Sequence, residues 1–339
     1  MKEDRDVVKQ AVVVILAAGK GTRMGSRYMA KVCFEIDGVP AINRLIETFK
    51  SKGFAKFLVV VGSMAGQILE TVGRAHPDVM FVYQSSQLGT GHAGKVAAKA
   101  LYKLGHSGPV VLTMGDKHIE PVAVEMLVDG FIKKRADLVL LTVPRDRTKG
   151  VSQGLVFIDK AGRAVAIIER TDLARQAIVD ELYKRLDKEQ AVSGSVILSV
   201  AKRHITDSKK MASAVPELLG LTEKGGRVNL KRLKQILQLD KYNLCVGGQR
   251  YTARQIKRMC TQLNPSLYMF KPEAFYRGVS MIDNDNAQRE YYLTDVVKHL
   301  SSITDKSGGD CFEVKTVPAD SANVIQGFNS LSQLLGIQD

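Results

Sequence analysis

The chain has 339 residues, of which 45% are hydrophobic and 25% charged, and a formal net charge of +14. That length suits one large α/β domain plus an addition, with enough apolar content for a sizeable core. No apolar run approaches the roughly 20 residues needed to cross a bilayer, the charged start Met1-Lys-Glu-Asp-Arg lacks the apolar stretch of a signal peptide, and Cys33, Cys245, Cys260 and Cys311 form no CxxC pair. These features argue against a membrane protein, a zinc site or a disulfide framework, so a reduced, cytoplasmic protein is expected.

The first element lies in VVVILAAGKGTRMG, residues 12–25. Its β-branched run is unbroken by polar residues, as in a strand buried on both faces. Further strand-like runs follow at 57–62, 79–83, 109–114 and 137–143, with helical patterns at 40–51, 64–74, 91–104 and 121–135 between them. Alternation at this spacing predicts βαβ units in a mainly parallel sheet with helices on both faces. Such sheets bind ligands beyond the carboxyl ends of their strands.

The alternation weakens after Asp172. Residues 173–190 have helical spacing, 229–240 place Leu230, Leu233, Ile236 and Leu237 on one face, and Thr252-Ala-Arg-Gln255 reads as a capping box. Strand and helix patterns resume from Leu263 and end with a helix near 328–336. Residues 173–262 are therefore expected to form a basic, mostly helical insertion. Within it, 201–260 hold 14 Lys plus Arg against 4 Asp plus Glu. A charge run of this kind is ordinarily a solvated face, so nucleic acid is not expected as a partner. The insertion is equally suited to serve as a dimerisation element or as a lid. No internal repeat is present.

Spacing tests three templates for the glycine-rich loop. A Walker A loop lacks its upstream glycine, and a dinucleotide fingerprint fails because Met24 stands where the third glycine belongs. LAAGKGTRM instead resembles the LxxGxGTRM/L signature of the sugar-1-phosphate nucleotidyltransferases. Four more motifs follow in order: QSSQLGTGHA at 84–93, Met114-Gly115-Asp116, Ile167-Ile168-Glu169, and NAQREYYLTD at 286–295. Together they resemble the uridylyltransferase half of the bifunctional UDP-N-acetylglucosamine pyrophosphorylases. The hexapeptide-repeat acetyltransferase part of those enzymes has no counterpart in the sequence, and no acetyl transfer is expected.

The resemblance implies a Rossmann-like, mixed but mostly parallel sheet, the nucleotide-diphospho-sugar transferase fold. Residues 1–172 and 263–339 would form that domain, with the nucleotide bound by about 1–120 and the sugar by about 121–172 and 263–300. The implied reaction is Mg²⁺-dependent transfer of UMP from UTP to a sugar 1-phosphate, N-acetylglucosamine 1-phosphate by family pattern, with release of pyrophosphate. Another NTP or sugar phosphate on the same fold, or polyanion binding through the insertion, are the alternatives. An ionised phosphate oxygen is already a nucleophile, so such a reaction needs positioning and charge neutralisation rather than a general base.

By the same resemblance, Leu16, Ala17, Ala18, Gly19, Gly21, Gln84, Gln87, Gly89 and Thr90 would hold the nucleotide. Arg23 and Lys31 would neutralise phosphates, and Asp116 and Asn286 would hold the metal. Gly115, Gly154, Glu169 and Asn264 would hold the sugar. Some positions depart from the family pattern. Ala30 replaces a proline before the lysine, Met114 a tyrosine, and Lys117-His118 a Val-Pro pair; Asn264-Pro265-Ser266 stands for Asn-Thr-Gly. His92 and His118 are accounted for by a helix start and a polar loop.

Overall fold

The computed structural model describes residues 2–21, 24, 28–146, 153–186, 188–189, 191–222, 227–237, 244–286 and 288–338. Ten strands form one sheet: β1 Val12–Ala17, β2 Lys56–Val61, β3 Met80–Tyr83, β4 Val110–Met114, β5 Leu138–Pro144, β6 Gly154–Ile158, β7 Ala164–Ile168, β8 Gln262–Asn264, β9 Leu267–Phe270 and β10 Val314–Pro318. The order across the sheet is β7-β6-β8-β5-β9-β4-β1-β2-β3, with β10 paired to β5. β1 to β4 are mutually parallel where they pair, and β10 lies parallel to β5. β7, β8 and β9 run against the other seven. The sheet is thus mixed and mostly parallel, an α/β fold as expected.

The unbroken apolar strands follow from two buried faces. Along β1, Val13, Ile15 and Ala17 enter one core with the helices Ala41–Ser51 and Pro121–Lys134, while Val12, Val14 and Leu16 enter another with Thr90–Lys103, Pro272–Met281 and Asp295–Ser301. At roughly 25 cal/mol per Å² of apolar surface removed from water, these two layers dominate the stability of the fold.

β8 and β9 are one chain direction broken by Pro265-Ser266. Both lie antiparallel to β5, but the pairing sum shifts by two residues between Leu263↔Val143 and Tyr268↔Leu140. Ser266 adopts φ +69°, and Asn264 clamps the bulge: its Oδ1 accepts from Ser266 N at 3.0 Å and its Nδ2 donates to Tyr268 Oη at 2.6 Å. The sheet forks here, with β9 joined to β4 and β8 to β6.

Part of residues 173–262 builds a separate core. Ile178, Leu182, Ile197, Val200, Leu218 and Leu233 belong to a cluster of their own, whereas Leu173, Ala177, Ala253 and Ile256 join the main core. The helix Arg170–Leu186 bridges the two. The capping box at Thr252 is present, with both Gln255 N donating to Thr252 Oγ1 and Gln255 Oε1 accepting from Thr252 N. A helix at Lys2–Gln10, not foreseen from its charged sequence, packs Val8 onto the main core. No helix among the described residues is long and apolar enough to cross a membrane.

Candidate active site

Beyond the carboxyl ends of β1, β3 and β4 opens a cleft of about 400 Å³. It is lined by Leu16, Ala17, Ala18, Gly19, Gly21, Lys31, Gln84, Gln87, Gly89, Thr90, Met114 and Asp116, among others. Every residue assigned to the nucleotide therefore faces one space. Arg23 lies outside the described residues.

The loop after β1 turns tightly because Gly21 sits at φ +60°, where a Cβ would come within 2.9 Å of the Lys31 Cβ. A side chain there would fail on both backbone and space. Gly89, at φ +113°, lets its loop meet the last motif: a Cβ would stand 2.5 Å from the Tyr291 carbonyl oxygen. The two motifs then bond to each other, Gly91 N to Tyr291 O at 2.7 Å, Tyr291 N to Leu88 O at 2.9 Å and Leu293 N to Thr90 Oγ1 at 3.2 Å. This docking brings Glu290 to the cleft wall.

Gln84 is buried and fixed by two contacts. Its Nε2 donates to the Gly89 carbonyl at 3.4 Å and meets His92 Nδ1 at 2.8 Å. A carbonyl can only accept, so the amide nitrogen faces it and His92 Nδ1 accepts as well. That arrangement leaves Gln84 Oε1 as the acceptor for a ligand. His92 is thus an orienting partner of Gln84, a role that a helix start did not capture.

At the other end of the cleft, the Lys31 ammonium bonds to both Asp116 Oδ2 and Asn329 Oδ1, the latter at 2.9 Å, and stands 5.4 Å from the centre of the Phe328 ring. The Lys117 side chain lies across Gly327, the residue that pairs with it between Lys117–Ile119 and Ile325–Gly327. Burial works against the Asp116 carboxylate, but Lys117 and Lys31 outweigh it and hold the group below the usual carboxylate range. Burial pulls the Lys117 ammonium below its ordinary value. Asn329 was not legible as a site residue, because Gly327-Phe-Asn-Ser carries no distinctive spacing.

Three of the residues expected at the sugar, Glu169, Gly154 and Asn264, gather in a second group. Glu169 Oε1 accepts from Thr294 Oγ1 at 2.9 Å, and a Cβ on Gly154 would stand 3.5 Å from that same oxygen. Gly154 pairs with Asn264 across β6 and β8. Burial pushes the Glu169 carboxyl up, against the Thr294 bond. Two expected ligands are otherwise engaged. Asn264 is buried and spends its carboxamide on the bulge. Asn286 turns into its own loop, donating to Glu290 O and accepting from Gln288 N at 3.2 Å and Glu290 N at 3.3 Å. Gly115 packs its backbone against Val32 and Ala17, with its N–H on Leu16 O at 2.9 Å.

Three comparisons fit this geometry. Residues 13–236 match the profile of the MobA-like NTP transferase domain. The bifunctional protein GlmU of Clavibacter sepedonicus is 25% identical over 323 residues, 95% of this chain and 47% of that protein. Its counterpart from Neisseria meningitidis serogroup B is 40% identical over 172 residues, 50% of this chain and 35% of that protein. The chain thus spans less than half the length of these curated relatives. Two crystal structures share the fold: a UDP-glucose pyrophosphorylase complexed with UDP-glucose (TM-score 0.56, 11% identity, 97% of each chain), and HddC from Yersinia pseudotuberculosis (TM-score 0.53, 15% identity, 96% of this chain and 97% of that one). With the profile matching more than half of its length, the chain belongs to the family of MobA-like NTP transferase domains and is a nucleotidyltransferase.

Proposed function

We propose that this nucleotidyltransferase moves UMP from UTP to a sugar 1-phosphate, releasing pyrophosphate. The observation that carries the reading is the cleft itself, in which Gln84, Lys31 and Asp116 line one space of about 400 Å³; we assign the base to Gln84 and the phosphates to Lys31 and Asp116. Gln84 Oε1, the acceptor that its two contacts leave, pairs with a base carrying a ring N–H. Uracil, thymine and guanine carry one; cytosine and adenine present a ring acceptor there and are disfavoured by the unpaired oxygen this would leave. The small residues Ala17, Ala18 and Gly19 allow ribose to lie against the backbone.

In the reaction, a phosphate oxygen of the sugar 1-phosphate attacks the α-phosphorus of UTP. One P–O bond forms, the bond to the β-phosphate breaks, and pyrophosphate departs with the electron pair. Lys31, long and tethered on a short turn, is assigned to the α-phosphate, and Arg23 to the rest of the triphosphate. Glu169 and Gly154 are assigned to sugar hydroxyls, with Thr294 orienting Glu169.

The donor chemistry fits a magnesium ion that arrives with the nucleotide. Among the described residues no three His, Cys, Asp or Glu side chains cluster into a cage, and Mg²⁺ commonly takes one or two protein oxygens with phosphates and water completing the shell. Asp116 and Asn329 already converge their oxygens on one cation, the Lys31 ammonium. We therefore assign the pair to Asp116 and Asn329 in place of Asn286. The ion, when bound, supplies positive charge to the phosphates.

The test is pyrophosphate release with each of the four NTPs against a panel of sugar 1-phosphates, N-acetylglucosamine 1-phosphate included. UTP should outcompete CTP and ATP, and Asp116→Asn should lower kcat by on the order of a hundredfold or more. Inactivity with every pair, or an unchanged rate in Asp116→Asn, overturns the reading.

A further inference from the structure

The bond from Thr294 Oγ1 to Glu169 Oε1 has a second tie beside it. Glu169 follows β7 and opens the helix Arg170–Leu186, with Leu173 N donating to its carbonyl at 2.9 Å. Thr171 comes two residues after Glu169, and Tyr292 two residues before Thr294. Gln288 spans them: its Oε1 accepts from Thr171 Oγ1 at 2.9 Å and from Tyr292 Oη at 3.0 Å. A carbonyl oxygen has two lone pairs, and here both are used. Tyr292 is buried, while Thr171 and Gln288 are half-buried. None of the three lines the cleft where Gln84 and Lys31 lie.

We infer that Thr171 and Gln288 are positioning residues for the acceptor sugar, because their bond braces the two backbone segments that carry Glu169 and Thr294. The inference rests on the reading in which Glu169 accepts from sugar hydroxyls. A glutamate side chain turns about three bonds, so a hydroxyl partner places its tip only as well as that partner's own backbone is placed. The chain Thr171–Gln288–Tyr292 sets the separation of the two segments a short step from the Glu169–Thr294 bond. Glu169 is then held where a sugar hydroxyl can meet it, and a small displacement there costs productive binding. Thr171 owes its place to the first turn of a helix whose Leu173 and Ala177 enter the main core and whose Ile178 and Leu182 enter the smaller one. That bridging helix therefore serves the acceptor side of the reaction, and the nucleotide is left to the cleft lining.

The experiment compares Thr171→Val, which keeps the branched shape and removes the hydroxyl, with Thr171→Ser, which keeps the donor. On the full chain, KM is measured for UTP and for N-acetylglucosamine 1-phosphate, or for glucose 1-phosphate where the panel prefers it. Thr171→Val should raise KM for the acceptor by on the order of threefold to tenfold, the worth of a neutral hydrogen bond. Its kcat and its KM for UTP should stay within about twofold of wild type. Thr171→Ser should return the acceptor KM to near wild type. Gln288→Leu should raise it at least as far as Thr171→Val does, and the double variant no further than Gln288→Leu, since both bonds share one oxygen. An unchanged acceptor KM in Thr171→Val, with Glu169→Gln impaired for the acceptor, overturns the inference. So does an equal rise in KM for UTP and acceptor, which marks a general loosening of the fold. A Glu169→Gln enzyme with wild-type acceptor KM overturns instead the reading on which the inference rests.

Discussion

Asp295 shows how the last sequence motif loads the fold with a buried carboxyl. It opens the helix Asp295–Ser301, and burial pushes its carboxyl up to about 7. Lys298 opposes the shift, whereas Asp172, Asp283 and Glu169 reinforce it. Because the folded state prefers the protonated form, the stabilisation is present below the ordinary value of 3.8 and is lost as pH rises through about 7. Asp295→Asn removes that dependence and leaves its neighbours in place. Thermal unfolding of both proteins from pH 4 to 8.5 should therefore diverge, wild type losing at least about 2–4 °C against the variant by pH 8. Parallel curves across that range would show that Asp295 is ionised at no extra cost. At the same scale, Lys31, Gln84, Asp116 and the glycines that demand close approach were legible through the motifs that carry the family resemblance. Asn329 was missed because its partner Lys31 is distant in sequence, and His92 because its contact with Gln84 depends on how the intervening loop folds rather than on spacing.

At the level of elements, apolar periodicity located the sheet strands and the helices between them up to Pro144 to within a residue or two, as with 137–143 against Leu138–Pro144. It could not foresee the fork at Pro265-Ser266. Proline and serine signal a break, but which strands each half joins is decided by long-range pairing. Glycine inside a helix was equally silent. Gly130 lies in Pro121–Lys134, and a Cβ there would come within 2.1 Å of Val317 Cγ2 on β10. Gly to Ala in a helix gains up to about 1 kcal/mol from backbone entropy, whereas overpacking a buried contact costs about 1–3 kcal/mol. The clash should win, since Val317 is itself buried. Gly130→Ala is expected to lose about 1–2 kcal/mol in chemical denaturation, and Gly130→Ala with Val317→Ala should recover the helix gain relative to Val317→Ala alone. A stabilised single variant would mean that the helix and β10 separate readily at this point.

Across the whole molecule, the cores differ in reach. Two of them cover the faces of the sheet, while Ile178 to Leu233 form a smaller one among helices and the Ala191–Ser193 and Arg227–Asn229 pair. The sequence-predicted boundary at 173–262 is drawn wider than this second core. Leu173 and Ala177 point into the main core from the first turns of the shared helix, and 244–260 return to it through Leu244 N on Gln176 Oε1 at 3.0 Å and Ala253 N on Asp180 Oδ2 at 2.7 Å. We propose that the smaller core opens as its own cooperative unit, because the contacts that close it are local to it. Leu233 is fully buried in that cluster, so Leu233→Ala should cost about 2–5 kcal/mol there. Hydrogen exchange should then accelerate together in Gly194–His204 and Pro216–Thr222, while amides of β1 and β2 keep their protection. The rate of pyrophosphate release should stay within about twofold of wild type, since a loss confined to this unit leaves the cleft lining untouched. Equal acceleration in β1 would show instead that the two cores unfold as one, and that the insertion is an integral part of the transferase scaffold.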